Sequence, residues 1–237
     1  MKMTLFEQFM LFLFPRTRFR SRDRHIEIRD TIEDGRAVRL LLYDGVRESG
    51  MYLDEHGDKD PLFRYMRTLK LMTEHQKGLN NALLIGGGGF VFPKIFLKDH
   101  PERTMTVVEV DAGYVNLAKK YFALDTNDKR LTIKIQDGLE FIRQNSNFAA
   151  YDLVIFDAYT GSAASRAILS RDALRQVYSM LRPNGIYALN LINEAHDVIS
   201  METHMTNESL KTIFAYTRIV RCPGGGNCIL MASDRKL

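Results

Sequence analysis

Short apolar runs alternate with amphipathic stretches over most of the chain from residue 81 onward. Apolar runs of strand length lie at Ala82–Ile85, Met105–Val110, Leu131–Ile135, Leu153–Phe156 and Ile186–Leu191. Between them, apolar residues at helical spacing predict helices over about 92–98, 112–122, 139–144 and 171–181. Buried strands that alternate with helices require crossover connections, so this part is expected to form a parallel sheet covered on both faces. Arg182-Pro183-Asn184-Gly185 reads as the turn feeding the fifth strand. A helical segment over 201–213 follows, and the runs 216–222 and 228–232 flank a glycine-rich turn as a closing hairpin.

Upstream the period changes. Ile26-Glu27-Ile28 alternates as a half-buried strand does, and Asp34-Gly35 and Asp44-Gly45 are turn signals on either side of Arg36–Tyr43. An antiparallel unit of about three strands is expected there. Pro61 opens an amphipathic helix predicted over 61–75, with Leu62, Phe63, Met66, Leu69 and Met72 at helical spacing. The organisation read from the chain is an apolar and basic segment (1–25), a β unit (26–60), a connecting helix and linker (61–80) and an α/β domain (81–237). A terminal hairpin after a doubly wound sheet fits a class I S-adenosylmethionine methyltransferase-like Rossmann fold, with a small N-terminal antiparallel β unit, better than a dehydrogenase.

Composition narrows the class without choosing a function. The chain has 237 residues, 45% hydrophobic and 26% charged, as expected of a soluble globular protein. A net charge of +4 with no Lys/Arg stripe interleaved with aromatics gives no case for a nucleic-acid partner. Two cysteines, Cys222 and Cys228, are too few for a disulfide scaffold or a metal cage, and they read as reduced thiols beside a turn that could bring them together. No metal is expected. Leu5, Phe6 and residues 9–14 form an apolar segment followed by Arg16, Arg18, Arg20, Arg22 and Arg24. It is too short to span a bilayer, which takes about 20 apolar residues. Packing on its own domain or on a partner subunit is expected there, ahead of membrane contact by residues 5–24, and the location read from the chain is cytoplasmic.

The candidate chemistry gathers at strand ends. Asn81–Ile85 runs into Gly86-Gly87-Gly88-Gly89 and then into a helical segment, and Glu109 closes the next strand, 109 − 86 = 23 positions on. Glycines let backbone approach a ligand, and an acid about 20 residues further suits a ribose diol. This is a nucleoside-cofactor pattern, with Val110 beside the acid. Asp137-Gly138 stands at the third strand tip, where Asp137 suits either an adenine contact or a helix N-cap. Asp157 ends the fourth strand, at the edge where open α/β sheets bind ligands, and its carboxylate suits a base, an orienting group or a loop cap.

These residues, with Tyr43-Asp44-Gly45, Phe63-Arg64-Tyr65, Val108-Glu109-Val110-Asp111, Lys119-Lys120-Tyr121-Phe122 and Gln136–Phe141, resemble the spermidine synthase-like aminopropyltransferase family over about residues 36–232. The resemblance implies a homodimer and binding of decarboxylated S-adenosylmethionine for transfer to a small-molecule amine. By the same resemblance Glu109 would take the ribose hydroxyls, Asp137 and Gly138 the adenine, and Gly86–Gly88 the sulfonium side. Asp157 would hold and deprotonate the attacking amine, and Tyr65, with Tyr159 of the following loop, would line its pocket.

Departures from the family pattern change the expected reaction. Where the family has Gly-Gly-Gly-Asp-Gly-Gly, this chain has Gly-Gly-Gly-Gly-Phe-Val-Phe-Pro, so Gly89 replaces a carboxylate. Thr160 replaces the second acid of the catalytic loop, and Cys222 a tyrosine. An ammonium desolvated without negative partners is costly, so the expected acceptor is not an ordinary polyamine. Intact S-adenosylmethionine becomes acceptable, because no carboxylate at 89 repels its own. The alternatives are a genuine spermidine synthase with carboxylates relocated to Glu194 or Asp197, and a non-catalytic nucleoside-binding or scaffolding protein. A NAD-dependent dehydrogenase fits poorly, since the last glycine of Gly-x-Gly-x-x-Gly falls on Val91.

Overall fold

The computed structural model describes residues 4–21, 25–57, 59–158, 167–193 and 198–237. Among these residues the chain opens with helix α1 (Leu5–Leu13), fixed at its start by a capping box between Thr4 and Glu7. Strands β1 (Arg16–Ser21), β2 (Ile26–Glu33), β3 (Arg36–Tyr43) and β4 (Val46–Tyr52) then form an antiparallel sheet in sequence order. The small unit therefore has one strand more than the expected three. The alternating arginines are strand β1, where Arg18 pairs with Asp30 at 2.6 Å and Arg20 with Glu27 at 2.6 Å. Arg22 and Arg24 lie outside the described residues. Most large side chains of α1 remain exposed, among them Phe6, Phe9 and Phe12, although the helix rests on β2 and β3.

Helix α2 (Arg64–His75) starts three residues later than Pro61. Pro61 instead bridges Met51 of β4, which leaves the helix to begin after the chain has left the small sheet. Tyr65, Met66, Leu69 and Met72 form its buried face.

The second sheet contains β5 (Asn81–Ile85), β6 (Thr104–Glu109), β7 (Leu131–Ile135), β8 (Tyr151–Phe156), β9 (Leu181–Asn193), β10 (Tyr216–Arg221) and β11 (Gly226–Ser233), in spatial order β10-β11-β9-β8-β5-β6-β7. The five strands β5 to β9 run parallel to one another, and β11 is antiparallel to both β9 and β10. The helices α3 (Val91–Leu97), α4 (Ala112–Tyr121), α5 (Gly138–Asn145), α6 (Arg171–Met180) and α7 (Met201–Lys211) complete the crossovers. The turn expected at Arg182–Gly185 is absorbed into β9 as an irregularity: Tyr151 pairs with Leu181, but Leu153 pairs with Ile186.

Two apolar layers cover the large sheet. One joins Leu84, Val107, Ile155 and Ala188 to α2, α3 and residues Ile26, Ile28 and Leu41 of the small sheet. The other joins Leu83, Val154 and Leu189 to α5 and α6. The small sheet is thereby part of the main core. A charged tie adds to the packing. Arg39 donates to both carboxylate oxygens of the buried Asp30, at 2.7 and 2.9 Å, and to the carbonyl of Tyr121 at the end of α4, at 2.8 Å.

Cys222 and Cys228 belong to opposite layers, and both are free and buried. The hairpin does not join the two in a disulfide.

Candidate active site at the carboxyl edge of the parallel strands

The first parallel strand, β5, lies between β6 and β8, so the chain's crossovers diverge there and leave a crevice at the strand ends. Gly86 leaves β5 with φ +97°. A Cβ at Gly86 would stand 2.4 Å from the carbonyl oxygen of Asp157, which only glycine avoids. The loop then turns over Gly87, where Phe90 N–H donates to the Gly87 carbonyl at 2.7 Å, and enters α3.

Glu109 at the tip of β6 is buried and bound to that loop. Its Oε2 accepts from the N–H groups of Gly87 at 2.9 Å and Gly88 at 3.2 Å, and its Oε1 from that of Asp111 at 3.0 Å. Burial raises its pKa, and the N–H groups of Gly87, Gly88 and Val110 work against that rise. Of the three hydrogen bonds to Gly87, Gly88 and Asp111, Oε1 takes only one, which leaves it room for a hydroxyl donor. Val110 beside it is 68% exposed, an apolar side chain left uncovered at the strand tip.

Asp157 follows β8 and is held at both oxygens. Tyr65 O–H of α2 donates to Oδ2 at 2.9 Å, and Asn190 Nδ2 of β9 donates to Oδ1 at 2.7 Å. Asn190 Oδ1 in turn accepts from Asn227 Nδ2 of β11 at 3.0 Å. Burial pushes the Asp157 carboxyl up to about 7, with nearby Glu48 adding to the rise and the Asn190 and Tyr65 donors opposing it. The Tyr65 hydroxyl is also held well above its ordinary value, by burial first and then by Asp157. Tyr65 is held as a protonated donor, while a carboxyl raised to about 7 can both take and release a proton near neutrality.

Strand β4 forms the wall over the loop. The Glu48 carbonyl and the Ser49 Cβ come within 4.0 and 3.9 Å of the position of a Cβ on Gly88. At Gly89 the fit is tighter, with Ser49 Oγ only 2.6 Å from where a Cβ would be. Glu48 itself is exposed, yet its carboxyl is raised by burial of the charge, and it acts electrostatically on both Asp157 and Tyr65.

The structure thus gathers Gly86–Gly89, Glu109, Asp157 and Tyr65 around one crevice. Asp137 caps α5 by accepting from Glu140 N–H at 2.9 Å, and it is exposed on the same sheet edge. Gly138 packs against Ile85 of β5, where a Cβ would stand 2.5 Å from Ile85 Cγ2. Tyr159, Thr160, Glu194 and Asp197 lie outside the described residues. Sequence reading missed Glu48, Ser49, Asn190 and Asn227. A polar residue inside the apolar run Leu189-Asn190-Leu191 was the one local signal for Asn190; nothing local singles out the others. Among the described residues no group of His, Cys, Asp and Glu side chains is arranged to hold a metal ion, and no helix is long and apolar enough to cross a membrane.

The parallel strands and the reversed β11 define a class I methyltransferase-like Rossmann fold, extended by a small antiparallel sheet. Within that class the chain belongs to the family of the spermine/spermidine synthase domain, whose model matches residues 62–235. It is 27% identical over 184 residues to a polyamine aminopropyltransferase of Moorella thermoacetica, covering 76% of this chain and 61% of that one. It is 30% identical over 158 residues to the eEF1A lysine and N-terminal methyltransferase of Bos taurus, covering 62% of this chain and 22% of that one. The crystal structure of a probable spermidine synthase from Corynebacterium glutamicum superposes with a TM-score of 0.73 at 20% identity, over 94% of this chain and 80% of that one. The chain therefore spans less than two thirds of the curated relatives it matches. Their names divide between aminopropyl and methyl transfer.

Proposed function

We propose that this chain binds S-adenosylmethionine, or its decarboxylated form, and transfers an alkyl group from it to a small-molecule acceptor. The observation that carries the reading is Asp157, fixed at both oxygens at 2.9 and 2.7 Å and set beside a glycine loop that Glu109 braces. Family membership supports the cofactor class. The residues present fit an adenosyl group: a spare acceptor position on Glu109, uncovered Val110, and Asp137-Gly138 at the neighbouring tip.

Bound there, the cofactor supplies an activated sulfonium carbon. The chain's own task is then placement. Glu109 would hold the ribose through Oε1 while its Oε2 keeps Gly87 and Gly88 in register. Val110 would supply an apolar contact for the base. Asp157 orients the nucleophile and takes a proton from it, and Tyr65 holds the carboxylate so that Oδ2 stays aimed.

For the cofactor, intact S-adenosylmethionine is favoured. Position 89 carries no charge, and Ser49 fills the space a carboxylate there would need. The acceptor in this reading is not an ordinary polyamine, and the protein acts as a homodimer in the cytoplasm. One observation favours aminopropyl transfer to putrescine as the second reading: Glu48 brings a carboxylate from β4 near Asp157.

Equilibrium binding of the two cofactors tests the choice between them, with tighter binding of S-adenosylmethionine expected. Preference for the decarboxylated form, together with spermidine as the product from putrescine, would establish the second reading instead. No binding of either cofactor, and no rise in melting temperature with S-adenosylhomocysteine, would leave a non-catalytic protein that kept the fold.

A further inference from the structure

The hydrogen bonds around Asp157 continue past the crevice into the terminal hairpin. Asn190 is buried, and its amide is used at both ends: Nδ2 donates to Asp157 Oδ1 at 2.7 Å, and Oδ1 accepts from Asn227 Nδ2 at 3.0 Å. The two asparagines are diagonal neighbours on adjacent strands. Asn190 pairs with Ile229, and Asn227, two residues before Ile229, pairs with Ile192.

An asparagine amide presents a donor end and an acceptor end of nearly the same shape. Rotated by half a turn, Asn190 would point its oxygen at Asp157. At Oδ1 the carboxylate would then face a lone pair where it now has an N–H, which favours keeping a proton there, while Tyr65 still donates to Oδ2. The far end meets an N–H from Asn227, which favours the orientation that turns the donor end of Asn190 toward Asp157. We infer that Asn227 is a positioning residue: through the Asn190 amide it fixes a donor against Asp157 and so keeps that carboxylate ready to accept a proton. The consequence for catalysis rests on Asp157 being the reacting carboxylate, as proposed above. The relay itself does not need that reading.

Among the described residues, the titratable groups facing Asp157 are Tyr65 from α2 and Glu48 from β4, with Cys222, after β10, near Tyr65. Cys222 meets Asn227 only through the backbone, its N–H donating to the Asn227 carbonyl at 3.1 Å, so a side-chain change at 227 reaches Asp157 through Asn190 or through space. Two substitutions separate these routes. Asn227→Asp has the same shape but offers only acceptors, so it should turn the Asn190 amide and also add a charge. Asn227→Leu has similar volume, no charge and no donor.

The experiment follows the Asp157 carboxyl directly by pH titration of carboxyl-labelled aspartate in NMR spectra of the full chain. The resonance is assigned by its loss in Asp157→Asn, and each variant's fold is checked by its melting curve. Both variants should raise the Asp157 midpoint. Asn227→Asp should raise it by about one unit or more, a tenfold gain in proton affinity, and Asn227→Leu by a smaller amount. Unchanged midpoints in folded variants would overturn the relay. A rise in Asn227→Asp alone would also overturn it, because the effect would then be charge acting through space. Should a variant fail to fold, Asn190→Leu in the same titration must raise the midpoint, and no change there overturns the proposal. Activity enters none of these outcomes, so failure of the relay and failure of the proposed reaction are read separately.

Discussion

Ser49 occupies the space in which a side chain at position 89 would begin, with its Oγ 2.6 Å and its Cβ 3.0 Å from the position of a Cβ on Gly89. The glycine loop of the large sheet is thus fitted to a strand of the small one, and the missing carboxylate and the serine are two halves of one arrangement. Gly89→Ala should therefore cost about 1–3 kcal/mol in urea unfolding, the usual price of overpacking. Adding Ser49→Gly should return most of that loss. Equal stability of wild type and Gly89→Ala would show that Ser49 gives way freely.

Asp157 makes stability depend on pH. Its carboxyl is raised by burial from 3.8 to about 7 in the folded chain. Below the ordinary carboxylate range it is protonated whether folded or not. As pH rises the unfolded chain ionises first, so the native state loses stability until the folded group ionises too. Asp157→Asn should gain on wild type by up to about 1.4 kcal/mol per pH unit across that window and hold a constant advantage above it. Denaturant melts at pH 4 and pH 8 measure this, and an advantage that fails to grow between them would contradict the raised pKa.

Glu109 accepts from the loop at two places, 2.9 and 3.2 Å from the N–H groups of Gly87 and Gly88. Glu109→Gln replaces one accepting oxygen with an amino group. Calorimetry with S-adenosylhomocysteine should then show binding weaker by about 10- to 100-fold, the range for one or two hydrogen bonds to a charged partner. Unaltered affinity would remove Glu109 from the cofactor site.

Glu48 adds negative charge beside Asp157. Glu48→Gln should lower the proton affinity of Asp157, because a like charge is removed. On the second reading, in which putrescine is the acceptor, putrescine titrated against the complex with methylthioadenosine should bind up to about fivefold more weakly, as expected for an accessible ion pair. Methylthioadenosine, which carries no ammonium, should bind as before. Loss of both ligands together would mean that Glu48 supports the wall rather than reads a cation.

The legible part of this chain was the part governed by short-range rules. Strand and helix periods placed β5 to β8 within a residue or two, because apolar strands bounded by Gly and Asp leave few alternatives. Glu109, Gly86 and Asp157 were visible because their positions follow from strand ends. The partners that complete the crevice were not. Ser49 and Glu48 come to the loop from 37 or more positions upstream by sheet packing, which no local pattern encodes. Strand β1 was hidden by its own arginines, whose pairing with Asp30 and Glu27 makes an edge strand out of what composition presents as a basic tail. Pro61 looked like a helix start and is a bridge residue, a choice set by Met51 of another strand.

Arg39 joins Asp30 of β2 to the carbonyl of Tyr121, and so fastens the small sheet to the end of a helix on the large one. The family match begins at residue 62, beyond both the fastening arginine and the wall residues Glu48 and Ser49. The crevice therefore lies on a seam between the residues that the family model matches and strands that precede the match. A substitution at Glu48 or Ser49 would alter the wall of the site while leaving all of residues 62–235 in place.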